Sequence, residues 1–411
     1  VIANMEVLDL EERRLFDNSI ECIELHSHHP YASSKLLPGD EIRISVQHQD
    51  LYTLPSQSLL YLEGRFLKED GSAIPTSSKL TNNAFAFLFD EIRYELSGVE
   101  IDRVRNPGIA CTLKGLVSLE DGCHYLENWG WCYPQSDTVN ITSNEGYFNL
   151  CIPLSSLLGF CEDYQKIVIN VKQELILVRS RQDGNAYKFS RQRAEDAVEN
   201  CKIELVKLCW KLPYVAVNEH QRLALMRHLK SEKVFSLSFR SWELYDYPLL
   251  PATQRQIWSV KTSSQLEKPR YLILAFQTER ANNVESNASH FDHCNVSNVK
   301  LYLNCKAFPY DDLNIDFSAN RYALLYHMYA SFQMSYYGEQ MKPLTSWRNF
   351  KEKTPLIVID CSKQSESIKT GPVDVRLEFE SKNPFPANTT AYCLIIHDRV
   401  VEYNPLTGIV R

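Results

Sequence analysis

Two stretches decide how this chain is read: Ile92-Arg93-Tyr94-Glu95-Leu96-Ser97-Gly98 and, 207 residues further on, Val299-Lys300-Leu301-Tyr302-Leu303-Asn304-Cys305. Each alternates apolar and polar side chains and ends in a pair suited to a tight turn, the pattern of a half-buried strand entering a hairpin. Around them the same elements recur in the same order. Leu60-Tyr61-Leu62 precedes the first stretch, and Tyr271-Leu272-Ile273-Leu274 precedes the second. A helical pattern over Ile109 to Leu119 follows the first, and another over Ser318 to Met334 follows the second. Phe148 to Pro153 then matches Pro355 to Cys361, and Ile167 to Val178 matches Val373 to Glu380. Letter identity is low, so what repeats is the order of elements. Chance can produce one such match, whereas four in the same order, half a chain apart, indicate a duplicated unit.

The rest of the chain supports an all-β reading. Glu41 to Val46, Leu59 to Phe66 and Leu356 to Ile359 are short strand-like runs, and Val373 to Glu380 alternates with period two. Asn218 to Leu229 is the clearest helical insert, with Leu223, Met226 and Leu229 on one face. Arg179 to Asn200 is polar and contains Asp183-Gly184, so a hairpin turn or exposed excursion is expected there, before Ile203 to Trp210 resumes a strand. The expected organisation is residues 1–205 as one jelly roll and 206–411 as a second, each with about eight strands plus short helical insertions.

At 411 residues, 44% of them apolar, the chain is long enough for two or three domains with real cores. The net charge of −7, without a basic arm, argues against a duplex-coating protein, because phosphate neutralisation drives such binding. No direct sequence-specific nucleic-acid binding is expected. No apolar run approaches the ~20 residues of a membrane helix, so no membrane span is expected. Val1 to Asp9 lacks a basic flank leading into an apolar segment, so it does not read as a secretory signal, and Met5 is the expected start. The 12 cysteines contain no Cys-x-x-Cys pair and read as free thiols of a reducing compartment. The sequons at Asn140, Asn287, Asn295 and Asn388 then reflect turn composition.

Chemistry-bearing motifs are weak. His26-Ser27-His28-His29 matches no standard zinc spacing and reads as a solvated loop. His290-Phe291-Asp292-His293-Cys294 offers four potential ligands, but in a strand His293 would point away from the other three. There is no Gly-x-Ser-x-Gly elbow, and Ser-x-x-Lys lacks its companion motifs. Phosphate loops are absent, and 14 glycines make a phosphate nest a poor expectation. Asp90-Glu91 and Asp311-Asp312 read as solvated charge. No catalytic, cofactor-binding or metal-ligating residue is nominated, and no enzyme activity or cofactor is expected. Tyr322, Tyr326, Tyr329, Phe332, Tyr336 and Tyr337 recur at helical spacing, as a core-facing stripe or as a subunit interface, where aromatic residues are enriched.

Five blocks carry a resemblance: Lys79 to Asp102 (KLTNNAFAFLFDEIRYELSGVEID), Phe239 to Pro251 (FRSWELYDYPLLP), Lys268 to Arg280 (KPRYLILAFQTER), Phe291 to Tyr310 (FDHCNVSNVKLYLNCKAFPY) and His397 to Arg411 (HDRVVEYNPLTGIVR). Together they resemble the double jelly-roll major capsid proteins, in particular those of Polinton/Maverick-type and adintovirus-like elements of insect genomes. The likeness runs from about Met5 to Arg411. It departs from the family at the turn, where Leu96-Ser97-Gly98 and Leu303-Asn304-Cys305 replace the frequent Leu-Asn-Gly. The resemblance implies two eight-stranded jelly rolls per subunit, a homotrimer forming a pseudo-hexameric capsomer, and an icosahedral DNA-virus-like shell. Neighbouring capsomers and penton or minor capsid proteins would be the partners. The location would be the virion capsid, with assembly in the host nucleus or cytoplasm. Asn218 to Leu229 and Gln333 to Phe350 are candidate tower or trimer contacts. A carbohydrate-binding or hydrolytic β-sandwich is the alternative, as is a host-domesticated capsid-like protein that no longer packages a genome.

Overall fold

A computed structural model describes residues 19–31, 36–47, 52–71, 75–133, 136–191, 193, 197–230, 234–260, 268–304, 306–363 and 373–411. Val1 to Asp9 and Met5 lie outside them, as does Cys305. The first half contributes eight long strands: β1 (Ile20–His28), β2 (Glu41–Val46), β3 (Leu59–Lys68), β4 (Phe89–Leu96), β5 (Val99–Arg105), β6 (Tyr147–Pro153), β7 (Gln173–Arg179) and β8 (Cys201–Val217). The second half contributes β9 (Phe235–Tyr247), β10 (Arg255–Val260), β11 (Pro269–Thr278), β12 (Val296–Leu303), β13 (Lys306–Phe308), β14 (Ile357–Asp360), β15 (Val375–Ser381) and β16 (Thr389–Asn404).

The first half pairs them antiparallel as β1-β8-β3-β6 facing β2-β7-β4-β5. The second pairs them as β9-β16-β11-β14 facing β10-β15-β12-β13. Adding eight to each strand number converts one roll into the other, so the repeat read from Ile92 and Val299 is a repeat of topology. Alternation does the expected work: Phe89, Ile92, Tyr94 and Leu96 of β4 are buried, as are Val375, Leu377 and Phe379 of β15, while the residues between them face outward. Strand β8 continues through positions 205 and 206, with a bulge between Leu205 and Lys207 in its pairing with β3, and pairs with β1 and β3 of the first roll.

The turn after β4 places Ser97 at φ 49° and Gly98 at φ 79°. Two consecutive positive φ values are what a two-residue hairpin with right-twisted strands requires, and glycine meets the second at no steric cost. Asn304 holds the matching place after β12 at φ 53°, a conformation asparagine tolerates better than most residues.

Helices fill the connections: α1 (Pro107–Ser118), α2 (Gly159–Asp163), α3 (Glu219–Lys230), α4 (Ala323–Tyr337) and α5 (Trp347–Lys353). Both helices expected after the repeated strands are present, as α1 and α4. The insert read at Asn218 to Leu229 is α3, whose Leu223 and Met226 face outward instead of covering a core. No described helix is long and apolar enough to cross a membrane.

Two expectations are corrected. His26-Ser27-His28 is not a loop but the end of β1, with the His26 ring 4.4 Å from that of Tyr214 and His28 hydrogen-bonded to the Tyr214 hydroxyl at 3.1 Å. Arg179 to Asn200 is not simply an exposed excursion. Arg179 is fully buried, donating to the Leu88 carbonyl at 2.7 Å and to Asp183 at 2.5 Å, while the other Asp183 oxygen accepts from the Ile203 amide at 2.8 Å. Tyr187–Phe189 then joins Ser78–Thr81 and Thr138–Val139 in a small third sheet. A buried charged pair anchors this segment, and composition alone does not show that a polar run is tied down from below.

Candidate functional site: the junction between the two rolls

The sequence motifs do not converge on a catalytic centre. His290, Asp292, His293 and Cys294 lie in a loop before β12 and are used separately. Asp292 forms a two-pronged pair with Arg280 at 2.6 and 3.0 Å, and the His293 ring stacks on Phe317 at 4.6 Å. Cys294 lies 3.8 Å from the Thr278 hydroxyl, and burial pushes its thiol up to about 12. Among the described residues, no group of three or more His, Cys, Asp or Glu could hold a metal ion. Of the sequon residues, Asn295 and Asn388 occupy turn positions with positive φ, and Asn287 is buried. Asp312 pairs with Lys300 at 2.7 Å, and Glu91 with Arg93 at 3.1 Å.

The densest arrangement of buried polar groups lies where the rolls meet. From the first roll come Asp102 on β5, Lys114 in the middle of α1, and Gly159, Glu162 and Asp163 on α2. From the second come Arg240 and Ser241 on β9 and the aromatic face of α4. Asp102 is fully buried and accepts from the Phe160 amide at 2.9 Å, the Arg103 amide at 3.0 Å and the Ser241 hydroxyl at 2.5 Å. Burial raises its carboxyl above the usual range, and these hydrogen bonds pull the other way. Arg240 grips Asp163 in a fork, Nε to Oδ2 at 2.7 Å and Nη2 to Oδ1 at 2.6 Å, and lies over the Tyr336 ring at 3.5 Å. Burial works against its charge, but Asp163 outweighs that and holds the guanidinium above its ordinary value.

Lys114 is the centre of the second cluster. Its ammonium donates to Glu162 at 2.8 Å, to Tyr337 at 2.9 Å and to Ser118 at 2.9 Å, which uses all three of its protons. Tyr336 and Tyr337 donate in turn to the two oxygens of Glu162, at 2.7 and 2.5 Å. Burial would lower the Lys114 pKa, yet Glu162 and Tyr337 more than compensate and the group is raised. Aromatic rings of Trp242 and Tyr336 lie 5.0 and 4.4 Å from the ammonium. A cavity of about 140 Å³ beside it is walled by Trp129, Trp131 and Cys111.

Helix α4 closes the contact. The Tyr329 hydroxyl donates to the Leu116 carbonyl at 2.7 Å, and the Gln333 amide donates to the Leu119 carbonyl at 3.0 Å, so the second roll caps the open C-terminal end of α1. Phe332 and Tyr336 pack on Tyr271 of β11, at 5.0 and 5.5 Å between ring centres. The aromatic stripe is therefore core-facing and also forms an interface, between rolls of one chain. Part of Gln333 to Phe350, expected as a candidate tower or trimer contact, is committed here as well: Lys342 reaches Glu120 at 3.2 Å and Phe350 is fully buried.

A further contact joins the rolls at Asp137, which accepts from Lys353 at 2.7 Å and lies 3.5 Å from His290. Burial pushes His290 down to about 4 from 6.5. A neutral buried histidine favours the fold fully above pH 6.5, and that contribution is lost as pH falls from 6.5 through about 4. Unfolding followed by circular dichroism should show about 2–3 kcal/mol lost over this window. His290→Gln should flatten the slope, and an unchanged slope would remove His290 as its source.

The junction chemistry binds and positions. The two cations at its centre, Lys114 and Arg240, are matched to acceptors within the chain, whereas the buried indole N–H groups of Trp129 and Trp242 have no hydrogen-bond partner among the described residues. Sequence reading missed Lys114, Glu162, Asp163, Arg240 and Asp102. One signal was present: Lys114 stands alone in the otherwise uncharged run Ile109 to Val117.

Comparison with known proteins places this architecture. No curated protein matches the sequence. A chain of the Sputnik virophage structure superposes with a TM-score of 0.61 at 10% identity, covering 100% of this chain and 92% of that one. The Faustovirus major capsid protein gives 0.58 at 9% identity, covering 97% and 94%, and the mavirus major capsid protein 0.53 at 8%, covering 98% and 92%. At such identities the likeness is one of fold, and it spans both rolls. The sequence is also matched over residues 78–401 by the family described as the double jelly roll-like domain, and with the twin topology it follows that the chain belongs to that family.

Proposed function

We propose that this protein is a structural major capsid protein, without enzymatic activity, that trimerises into pseudo-hexameric capsomers and tiles an icosahedral shell. The single observation that carries this is the pair of topologically identical rolls locked side by side by a buried network. Three such chains present six similar lobes, which suits hexagonal tiling through closed cyclic symmetry. End-to-end likeness in fold to two viral major capsid proteins supports the same reading. The partners are neighbouring capsomers and penton or minor capsid proteins, and the location is the virion. The resemblance of the five sequence blocks favours kinship with the capsid proteins of Polinton/Maverick-type and adintovirus-like elements. The division between rolls falls in α3, which follows the last strand of the first roll and precedes β9. The outward Leu223 and Met226 leave α3 as a candidate capsomer contact.

Light scattering of the purified protein, with negative-stain imaging of the same fractions, tests the proposal. The expected result is three copies of the 47.6 kDa chain, about 143 kDa, or larger closed particles. A monomer over a wide range of concentration and salt would defeat it.

A further inference from the structure

Beside Lys114 the junction holds a cavity of about 140 Å³ whose wall is mainly apolar, built by Trp129, Trp131, Leu119 and Cys111. The two indoles stand on either side of Gly130, which takes a left-handed φ of 87°. An apolar cavity of about 150 Å³ admits a benzene ring, whereas a water molecule there needs several polar partners. The polar groups along this wall are largely spent on their neighbours. Lys114 donates to Glu162, Tyr337 and Ser118, and the Ser156 hydroxyl donates to the Pro153 carbonyl at 2.7 Å. Trp129 is different. It is 8% exposed, and its Nε1–H is buried with no hydrogen-bond partner among the described residues. A buried donor without an acceptor is costly, and an acceptor on a guest removes that cost. Ser155, Glu162 and Tyr337 line both this cavity and a wider cleft bordered by Gln57, Arg240 and Glu339, which gives a guest its way in.

We propose that this cavity is a binding site for a small, neutral, single-ring aromatic molecule that carries a hydrogen-bond acceptor. The ring lies among Trp129, Trp131 and Leu119, where contacts between aromatic rings add to the gain from burying its surface. Its acceptor takes the Trp129 Nε1 proton. Neutrality follows from the charges: Lys114 and Glu162 already face each other at 2.8 Å, so a charged guest would lose its water without gaining a counterion. The cavity is walled by α1 of the first roll and by Tyr337 of α4 in the second. A guest therefore binds the two rolls together and stabilises the folded junction by mass action. The site goes beyond the capsid reading and stands whether or not the chain assembles.

The test titrates the full chain with benzene and with pyridine, at mildly alkaline pH where pyridine is neutral. Binding is read by saturation-transfer NMR and by the melting temperature. Both rings should saturate the parent in the millimolar range or tighter and raise its melting temperature. Trp129→Phe keeps an aromatic wall but loses the N–H, so the ratio of pyridine to benzene affinity should fall about three- to tenfold. Ser155→Phe sets a ring at the mouth and should abolish saturation by both guests. Ser155 is half-buried, so this variant should fold as the parent does and keeps the test decisive if Trp129→Phe does not fold. A parent that neither ring saturates, or a folded Ser155→Phe that binds both as the parent does, overturns the site. An unchanged affinity ratio in folded Trp129→Phe overturns the role given to the indole and with it the acceptor required of the guest.

Discussion

Lys114→Met should lower the unfolding free energy by about 3–5 kcal/mol, the largest single effect expected from a side-chain change at the junction. Methionine fills similar space, so the loss is electrostatic and not one of volume. The lysine side chain is 3% exposed and Glu162 beside it 14% exposed, so removing the ammonium strands a buried carboxylate with only the two tyrosine hydroxyls for company. The folded pKa of Lys114 is raised, so its contribution is complete at neutral pH and is lost only as pH climbs through that raised value in alkali. Denaturant unfolding at pH 7 measures the effect. A double change, Lys114→Met with Glu162→Gln, should recover much of the loss, because no uncompensated charge remains. A loss below about 1 kcal/mol for the single variant would mean that the cluster is open to water and does not couple the rolls.

Gly159→Ala tests the closest approach of the two rolls. A Cβ on Gly159 would stand 1.9 Å from the Arg240 carbonyl oxygen, and that neighbour is backbone in the middle of a strand, so no side chain can swing aside. Either α2 shifts, misaligning Asp163 with Arg240 and the Phe160 amide with Asp102, or β9 moves out of register with β16. The cost expected from overpacking is about 1–3 kcal/mol, and the lost pairs add to it. Calorimetry should show a lower melting temperature and a broadened or split transition as the rolls unfold less cooperatively. Limited proteolysis should open the chain at α3, the exposed connection. A variant melting with the parent's single transition would show that the rolls are coupled elsewhere. The Asp137–Lys353 contact would then be the place to look.

Much of this architecture was legible because strands declare themselves locally. Val375, Leu377 and Phe379 alternate with charged neighbours, and that pattern needs no knowledge of the partner strand to be read. The duplication was legible for the same reason, since order survives after identity is lost. Arg179 was misread because a charged residue in a polar run carries no sign that three acceptors wait for it beneath the surface. His26 and His28 were misread because the strand they end is an edge strand, whose pattern is weak when neither face is fully covered. The aromatic run from Tyr322 to Tyr337 was read correctly as a stripe, but its partner, the carbonyl end of α1, lies more than two hundred residues away in sequence.

By itself, then, the sequence determined the all-β class, the tandem repeat and the helices that follow its repeated strands, because periodicity and turn chemistry act over a few residues. Only the tertiary structure decided that Lys114, Glu162, Asp102 and Arg240 form one buried network. It alone shows β9 covered by the first roll while Ile20, Ile23 and Leu25 of its twin β1 are about half exposed. Those facts depend on which surfaces meet across the chain, and the free energy that selects them comes from desolvation and matched hydrogen bonds between residues with no local relation to one another.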